Sequence, residues 1–205
     1  PFHTVISPSL LMATEDGYSM PNKIVSDEYI TIEGEKLSKS KNNYIAIKDL
    51  LSRYPADAIR YYFLTNDPEK RDFNFTFADF INTLNSDLLG KWGNFINRTL
   101  VFINKSFNGH LDEEEIDQSL EEQMKNLYEE VGNNINDGNV KEGIHLIFDF
   151  ISKANKYFDD QKPWELAKTN PKECQKVLFN YTNIIYNVNN LLKPYIPFSS
   201  EKVDT

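Results

Sequence analysis

The sequence predicts a mainly α-helical protein, an antiparallel helix bundle over residues 76–205 preceded by a smaller α/β portion over residues 1–75. Three observations predict it. Apolar residues recur at close to the helical period from Thr76 to Phe107. Three further helix-compatible stretches follow with short connections, the usual mark of antiparallel neighbours. Alternating β-branched and aromatic texture is confined to the first portion, so the change near Asp72 to Thr76 marks the boundary.

Taken in order, Leu11 to Pro21 and Lys23 to Val25 suit a strand-rich stretch, and Tyr29 to Glu33 (YITIE) reads as a strand entering a tight turn at Gly34. A polar loop occupies Lys36 to Asn43. Ile45 to Tyr54 suits a short helix, and Pro55 starts a second that runs through Ala58, Ile59, Tyr62 and Phe63 until Asn66-Asp67-Pro68. The long helix then carries Phe77, Phe80, Ile81, Leu84, Leu88, Trp92, Phe95, Ile96 and Phe102 on one side and ends at Gly109. Gly90 and Gly93 inside it are expected to let a neighbouring helix come close. The acidic run Asp112 to Glu115 reads as a solvated loop. Helices are expected at about 117–134 and 140–158, a turn at Lys162-Pro163-Trp164, and a last helix from Pro171 to Leu192, stopped by Pro194 and Pro197.

Composition narrows the function classes. With 31 acidic and 22 basic side chains the 205-residue chain has a formal charge of -9, which argues against indiscriminate nucleic-acid binding. The lone Cys174 excludes an internal disulfide and a Cys-based zinc site, and fits a reducing, cytoplasmic setting. No apolar run reaches the roughly 18 residues of a membrane span. Pro1-Phe2-His3 offers neither an initiator Met nor a signal peptide, so the chain is expected to be a piece of a longer one.

Local charge departs from the average in two places. Between Lys36 and Lys48 there are four lysines and no acid. Ammonium groups on flexible stems, with the hydroxyls of Ser38 and Ser40, suit phosphate, although a solvated lysine-rich loop has the same composition. From Leu88 to Asn108 there is again no acid, and Asn94 and Arg98 share a helix face, with Lys91 and Lys105 extending the stripe. The exposed side of any amphipathic helix would look similar.

The ordered string KLSKS, after a strand and Gly34 and before Ala56-Asp57-Ala58-Ile59-Arg60-Tyr61-Tyr62, resembles the KMSKS signature of class I aminoacyl-tRNA synthetases. Leu37 stands for the usual Met, and Asn42-Asn43 stands where a Gly-Asn pair is usual. The resemblance implies that residues 1–75 are the C-terminal part of a Rossmann-like catalytic domain. It further implies that Lys39 has the main electrostatic role toward the departing pyrophosphate of ATP, and that Lys36, Ser38 and Ser40 support it. Gly93-Asn94-Phe95-Ile96-Asn97-Arg98-Thr99 resembles the anticodon-reading helix of the methionyl-tRNA synthetases. Asn155-Lys156-Tyr157-Phe158-Asp159-Asp160-Gln161-Lys162-Pro163-Trp164 is similar to the segment of that family whose Pro-Trp pair lies beside the same Asn and Arg. Asn94, Arg98, Pro163 and Trp164 are thereby implied to read the anticodon loop of tRNA(Met), with the indole stacked on a base. Phe2-His3 with Ile6-Ser7-Pro8 is similar to the segment whose His lines the methionine side-chain pocket, which implies that role for His3. The expected ligands of the complete protein are methionine, ATP with Mg2+, and tRNA, with no membrane. Zinc is expected only in a preceding segment. No HIGH-type string occurs, so the chain alone is expected not to form methionyl-adenylate. A cysteinyl or valyl enzyme of the same class and a non-catalytic RNA-binding bundle stay open as alternatives.

Overall fold

A computed structural model describes residues 1–204. The first element is helical. Phe2–Ile6 winds as a π turn that runs into α1 (Ser7–Ala13), where Pro8 sits in the first turn and Leu10, Leu11 and Met12 favour the helix. The strand-rich expectation for Leu11 to Pro21 is therefore incorrect: residues up to Ala13 are helical, and no strand forms before Ile30.

The small sheet has the order β2-β1-β3, with β1 (Ile30–Ile32) antiparallel to β2 (Glu35–Lys36) and parallel to β3 (Phe73–Phe75). Ile32 pairs with Glu35 across the two-residue turn Glu33-Gly34, and both turn residues have positive φ, +48° and +81°. That is the conformation whose twist matches a hairpin. The strand is shorter than YITIE because Glu33 belongs to the turn, where its carboxylate accepts from the Phe77 N–H (3.2 Å). Between β2 and β3 lie α2 (Ile47–Arg53) and α3 (Ala56–Thr65), the latter entered through Pro55. Leu50, Ile59, Tyr62, Phe75 and Phe80 close a compact core over the sheet.

The long helix is continuous from α4 (Phe77–Thr83) to α5 (Asn94–Phe107), but its ten middle residues, Leu84–Gly93, wind as a π-helix. Thr76 caps its start by accepting from the Asp79 N–H, and Asn108 ends it in the left-handed region at φ +52°. The glycines here serve their own helix. A Cβ on Gly90 would lie 3.0 Å from the Asn85 carbonyl, and one on Gly93 3.0 Å from that of Leu88, each five residues back. No atom of a neighbouring helix lies within 4 Å of either position, so the expected close approach does not occur there.

The rest of the bundle is α6 (Gln118–Asp137), α7 (Val140–Gln161), α8 (Pro163–Thr169), α9 (Pro171–Leu192) and α10 (Pro197–Val203). Gly138-Asn139 turns α6 back on α7, with Gly138 at φ +81°. Two short helices were not foreseen. Lys162 takes φ +44° and Pro163 starts α8 at once, so the expected turn is a single residue; Pro197 likewise starts rather than stops a helix. α7 is central, packing against α3, α6, α8, α9 and the long helix. Phe95, Ile144, Ile147, Ile151, Leu178 and Leu192 are fully enclosed.

Gly143 on α7 is where the end of α9 comes closest: a Cβ there would lie 2.5 Å from the Tyr195 hydroxyl, which donates to the Val140 carbonyl (3.2 Å). Gly143→Ala is expected to lower stability by about 1–3 kcal/mol in chemical denaturation, because the ring must move and the bond is lost.

Burial holds four phenols in their protonated form. Desolvation pushes Tyr195 up to about 12, and pushes Tyr61, Tyr62 and Tyr181 still further from the usual value near 10. The unfolded chain therefore releases these protons first. Stability should be intact below pH 10 and fall above it, by about 1.4 kcal/mol per pH unit for each phenol that ionises only when unfolded. Tyrosinate absorbance should accordingly rise in two steps, the second coinciding with loss of helical circular dichroism.

Candidate functional site: a lysine turn and a bundle face

The KLSKS string continues from β2 as a pinned turn. Ser38 and Asn43 exchange both backbone hydrogen bonds, at 2.8 and 2.9 Å, and the Asn43 side chain donates to the Lys36 carbonyl (2.9 Å). Four residues form the tip. The Asn42 N–H donates to the Lys39 carbonyl (3.1 Å), and Asn42 adopts φ +55°, a conformation Asn tolerates better than most residues. The serine hydroxyls turn inward: Ser38 Oγ lies 3.1 Å from Ser40 Oγ and accepts from the Lys41 N–H (3.3 Å). Lys36, Lys39 and Lys41 are exposed, and none has an ion-pair partner among the described residues. Lys36 and Lys41 line a cleft of about 440 Å³ with Leu37, Ser38, Asn43 and Glu35, the one acid there. Three unpaired ammonium groups on one short turn can follow the charge of a polyphosphate.

The bundle face differs in electrostatics. Arg98 lies half-buried on α5, its guanidinium 4.0 Å above the centre of the Phe158 ring and paired with the Asp159 carboxylate. Both partners stand in the last turn of α7, just before Lys162-Pro163-Trp164. The fold thus joins the Arg98 segment to the Pro-Trp segment through Phe158 and Asp159, residues whose contacts the sequence reading missed. Both lie inside the stretch from Asn155 to Trp164 that carries the resemblance, which assigns neither of them a contact.

The Pro-Trp pair points two ways. Pro163 is buried, its carbonyl accepting from the Cys174 thiol (3.4 Å), whereas Trp164 is 41% exposed. Asn94 is exposed one turn before Arg98. The acid-free stretch does not stay free of acids in three dimensions: Lys91 pairs with Asp87 (2.8 Å), one residue before the stretch, and Arg98 with Asp159 from another helix. Only Lys105 of the stripe is an exposed cation without an ion-pair partner among the described residues.

Behind this face a series of rings runs into the core. Phe158 stacks on Tyr181 with centroids 4.9 Å apart, and Phe95 meets Tyr181 edge-on at 5.9 Å. Asn155, one turn before Asp159, donates to the Lys91 carbonyl (3.2 Å) and so fastens α7 to the start of the Arg98 segment.

His3 stands apart from both sites. It is exposed, lies edge-on to Phe2 at 5.4 Å, and shares a hollow with Pro21 and residues 23–26. No residue of the lysine turn lines that hollow. Among the described residues no three His, Cys, Asp or Glu side chains gather to hold a metal ion, and no helix is long and apolar enough to cross a membrane.

These features have counterparts in known proteins. A family model described as tRNA synthetases class I (M) matches residues 1–100, and one described as the anticodon binding domain of methionyl tRNA ligase matches residues 108–205. Methionine-tRNA ligase 1 of Alkaliphilus oremlandii is 44% identical over 204 residues, 99% of this chain and 37% of the relative. The Bacillus cereus (strain Q1) methionine-tRNA ligase is 44% identical over 203 residues, with the same coverage. The chain thus spans a little over a third of the curated relatives it matches. Among solved structures, a Mycobacterium tuberculosis methionyl-tRNA synthetase in complex with methionyl-adenylate superposes with a TM-score of 0.89 at 25% identity, over 98% of this chain and 41% of that one. With matches that run from the lysine turn through the bundle in one order, the chain belongs to the methionyl-tRNA synthetase family of class I aminoacyl-tRNA synthetases.

Proposed function

We propose that this chain serves a methionine-tRNA ligase that activates methionine with ATP and transfers it to tRNA(Met), supplying the cationic turn of the active site and the surface that reads the anticodon. The division of labour falls near residue 76, with the catalytic portion before it and the anticodon-binding bundle after it. The observation that carries this reading is the pinned turn with its unpaired lysines, in a chain 44% identical to curated methionine-tRNA ligases.

In the first step a carboxylate oxygen of methionine attacks the α-phosphorus of ATP, the bond to the bridging oxygen breaks, and pyrophosphate leaves with the negative charge. Lys39 at the tip of the turn meets that charge, with Lys36 beside it; Ser38 and Ser40 support the tip through their mutual contact and the Lys41 N–H. A preorganised donor aimed at developing charge contributes on the order of 3–4 kcal/mol. Mg2+ accompanies ATP as part of the substrate.

The bundle reads single-stranded bases. Trp164 offers an open indole for stacking, and buried Pro163 fixes its outward aim. Asn94 and Arg98 present an amide and a planar guanidinium to Watson-Crick edges, which unpaired loop bases leave accessible. Arg98 must exchange or share its bond to Asp159 in doing so. His3 takes the methionine side-chain pocket when the rest of that pocket is present. The setting is the cytoplasm.

Trp164→Ala is expected to weaken binding of a CAU anticodon stem-loop by about 1–3 kcal/mol. Because more than half of the side chain is covered, unfolding free energy should fall by about 1–2 kcal/mol with the helical fold retained. A broad loss of stability would show instead that the indole is a core anchor. Arg98→Ala should erase the preference for CAU over other anticodons more than it lowers total binding; a uniform loss across sequences would make Arg98 a phosphate contact. In an enzyme of the relatives' full length, Lys39→Ala is expected to slow methionine-dependent ATP-pyrophosphate exchange by roughly 10²–10³-fold. An unchanged rate would leave the loop without a catalytic role.

A further inference from the structure

A second hollow lies within the bundle, away from both sites. It holds about 400 Å³ between the start of α6, the middle of α7 and α9. Leu120, Phe150, Ala154 and Ile184 give it apolar walls, and Asp117, Lys153, Tyr157 and Asn180 bring polar groups to it. Its size lies within the range of small-molecule pockets, as does the mixture of apolar walls and few polar groups.

Asn180 is the distinctive member. It is only 4% exposed, and its side-chain oxygen accepts from the Asp117 N–H (3.1 Å). The amide is thereby fixed, and its Nδ2 has no hydrogen-bond partner among the described residues. Because Nδ2 is not sealed off from solvent, a ligand oxygen entering the hollow would take the place of the water it otherwise holds. Beside it, one oxygen of Asp117 caps the Leu120 N–H (3.0 Å), and the other has no partner among the described residues. The hollow therefore offers an oriented donor next to an anionic acceptor, over a wall of aliphatic and aromatic side chains.

We propose that this hollow binds a small planar heterocycle with a lactam edge, a ring carbonyl beside a ring N–H. The carbonyl accepts from Asn180 Nδ2, the N–H donates to Asp117, and the ring packs against Leu120, Ile184 and Phe150. A simple carboxylate could pair with Lys153 but lacks the N–H that Asp117 would accept, so it answers only part of the lining. The site is distinct from the proposed RNA face: Tyr157, which lines the hollow, and Asp159, which holds Arg98, are two residues apart on α7 and so point about 200° apart around its axis.

The test is titration of the uniformly 15N-labelled chain with 2-pyridone, N-methyl-2-pyridone, benzoate and toluene, read by amide chemical shifts. The proposal expects saturable shifts centred on Leu120, Ala154, Asn180 and Ile184 with 2-pyridone, and binding weaker by roughly tenfold when the N–H is methylated. Leu120→Trp, which fills the hollow from a half-buried position, should abolish the shifts while circular dichroism confirms the fold. Absence of saturable shifts with 2-pyridone up to about 20 mM, shifts centred elsewhere, or equal binding of toluene, benzoate or the N-methyl analogue would overturn it.

Discussion

The structure depends on one short helix that faces two cores at once. α3 sends Ile59 and Tyr62 into the core over the sheet and Tyr61 into the bundle core, so two apolar interiors share it as a wall. Its polar residues fasten a third neighbour. Arg60 donates to the carbonyls of Pro194 (2.7 Å) and Tyr195 (3.1 Å), and the buried Asp57 accepts from the Ser199 N–H at the start of α10. These bonds join residues more than 130 positions apart, and each involves a charged group, the class that contributes about 1.5–3 kcal/mol. One oxygen of Asp57 has no partner among the described residues, a cost the surrounding contacts must offset. The lysine turn precedes this helix and the bundle follows it, so the two proposed sites are held by the same wall.

The two cationic surfaces differ in how their charge is spent. On the turn the lysines stand free and the serines are committed to holding the tip. On the bundle face Lys91 and Arg98 are each tied to a carboxylate, Asp87 and Asp159. Free ammonium groups suit a ligand whose charge moves during reaction. Tied ones suit a surface that distinguishes bases by geometry while drawing little nonspecific RNA, which agrees with a chain of net charge -9.

What the sequence disclosed was local chemistry. Gly34 marked the hairpin, Pro55 and Pro171 marked helix starts, and the lysine string marked the turn, because each rests on the residue's own backbone preference or charge. What it hid depended on partners distant in the chain. The ring of Phe158 under Arg98, the carboxylate of Asp159 and the outward aim of Trp164 are set by how α5, α7 and α8 meet. The amino-terminal helix was missed for a related reason: with its apolar side chains exposed, Leu10 and Met12 show no burial pattern to read. The π winding left no trace, since Leu84, Leu88 and Trp92 at i, i+4 and i+8 have the spacing of an ordinary amphipathic α-helix.

That winding makes the long helix a device for aiming. Each residue of a π-helix turns the chain by less than the 100° of an α-helix, so ten of them set the angle between the face of α4 that meets the sheet core and the face of α5 that carries Asn94 and Arg98. A single residue gained or lost between Leu84 and Gly93 would swing one face against the other, and would turn the buried Phe95, Thr99 and Ile103 of α5 out of the core along with it. The length of the π segment is thereby locked by the core, so the loop and the reading face keep one fixed angle while their exposed residues can be exchanged.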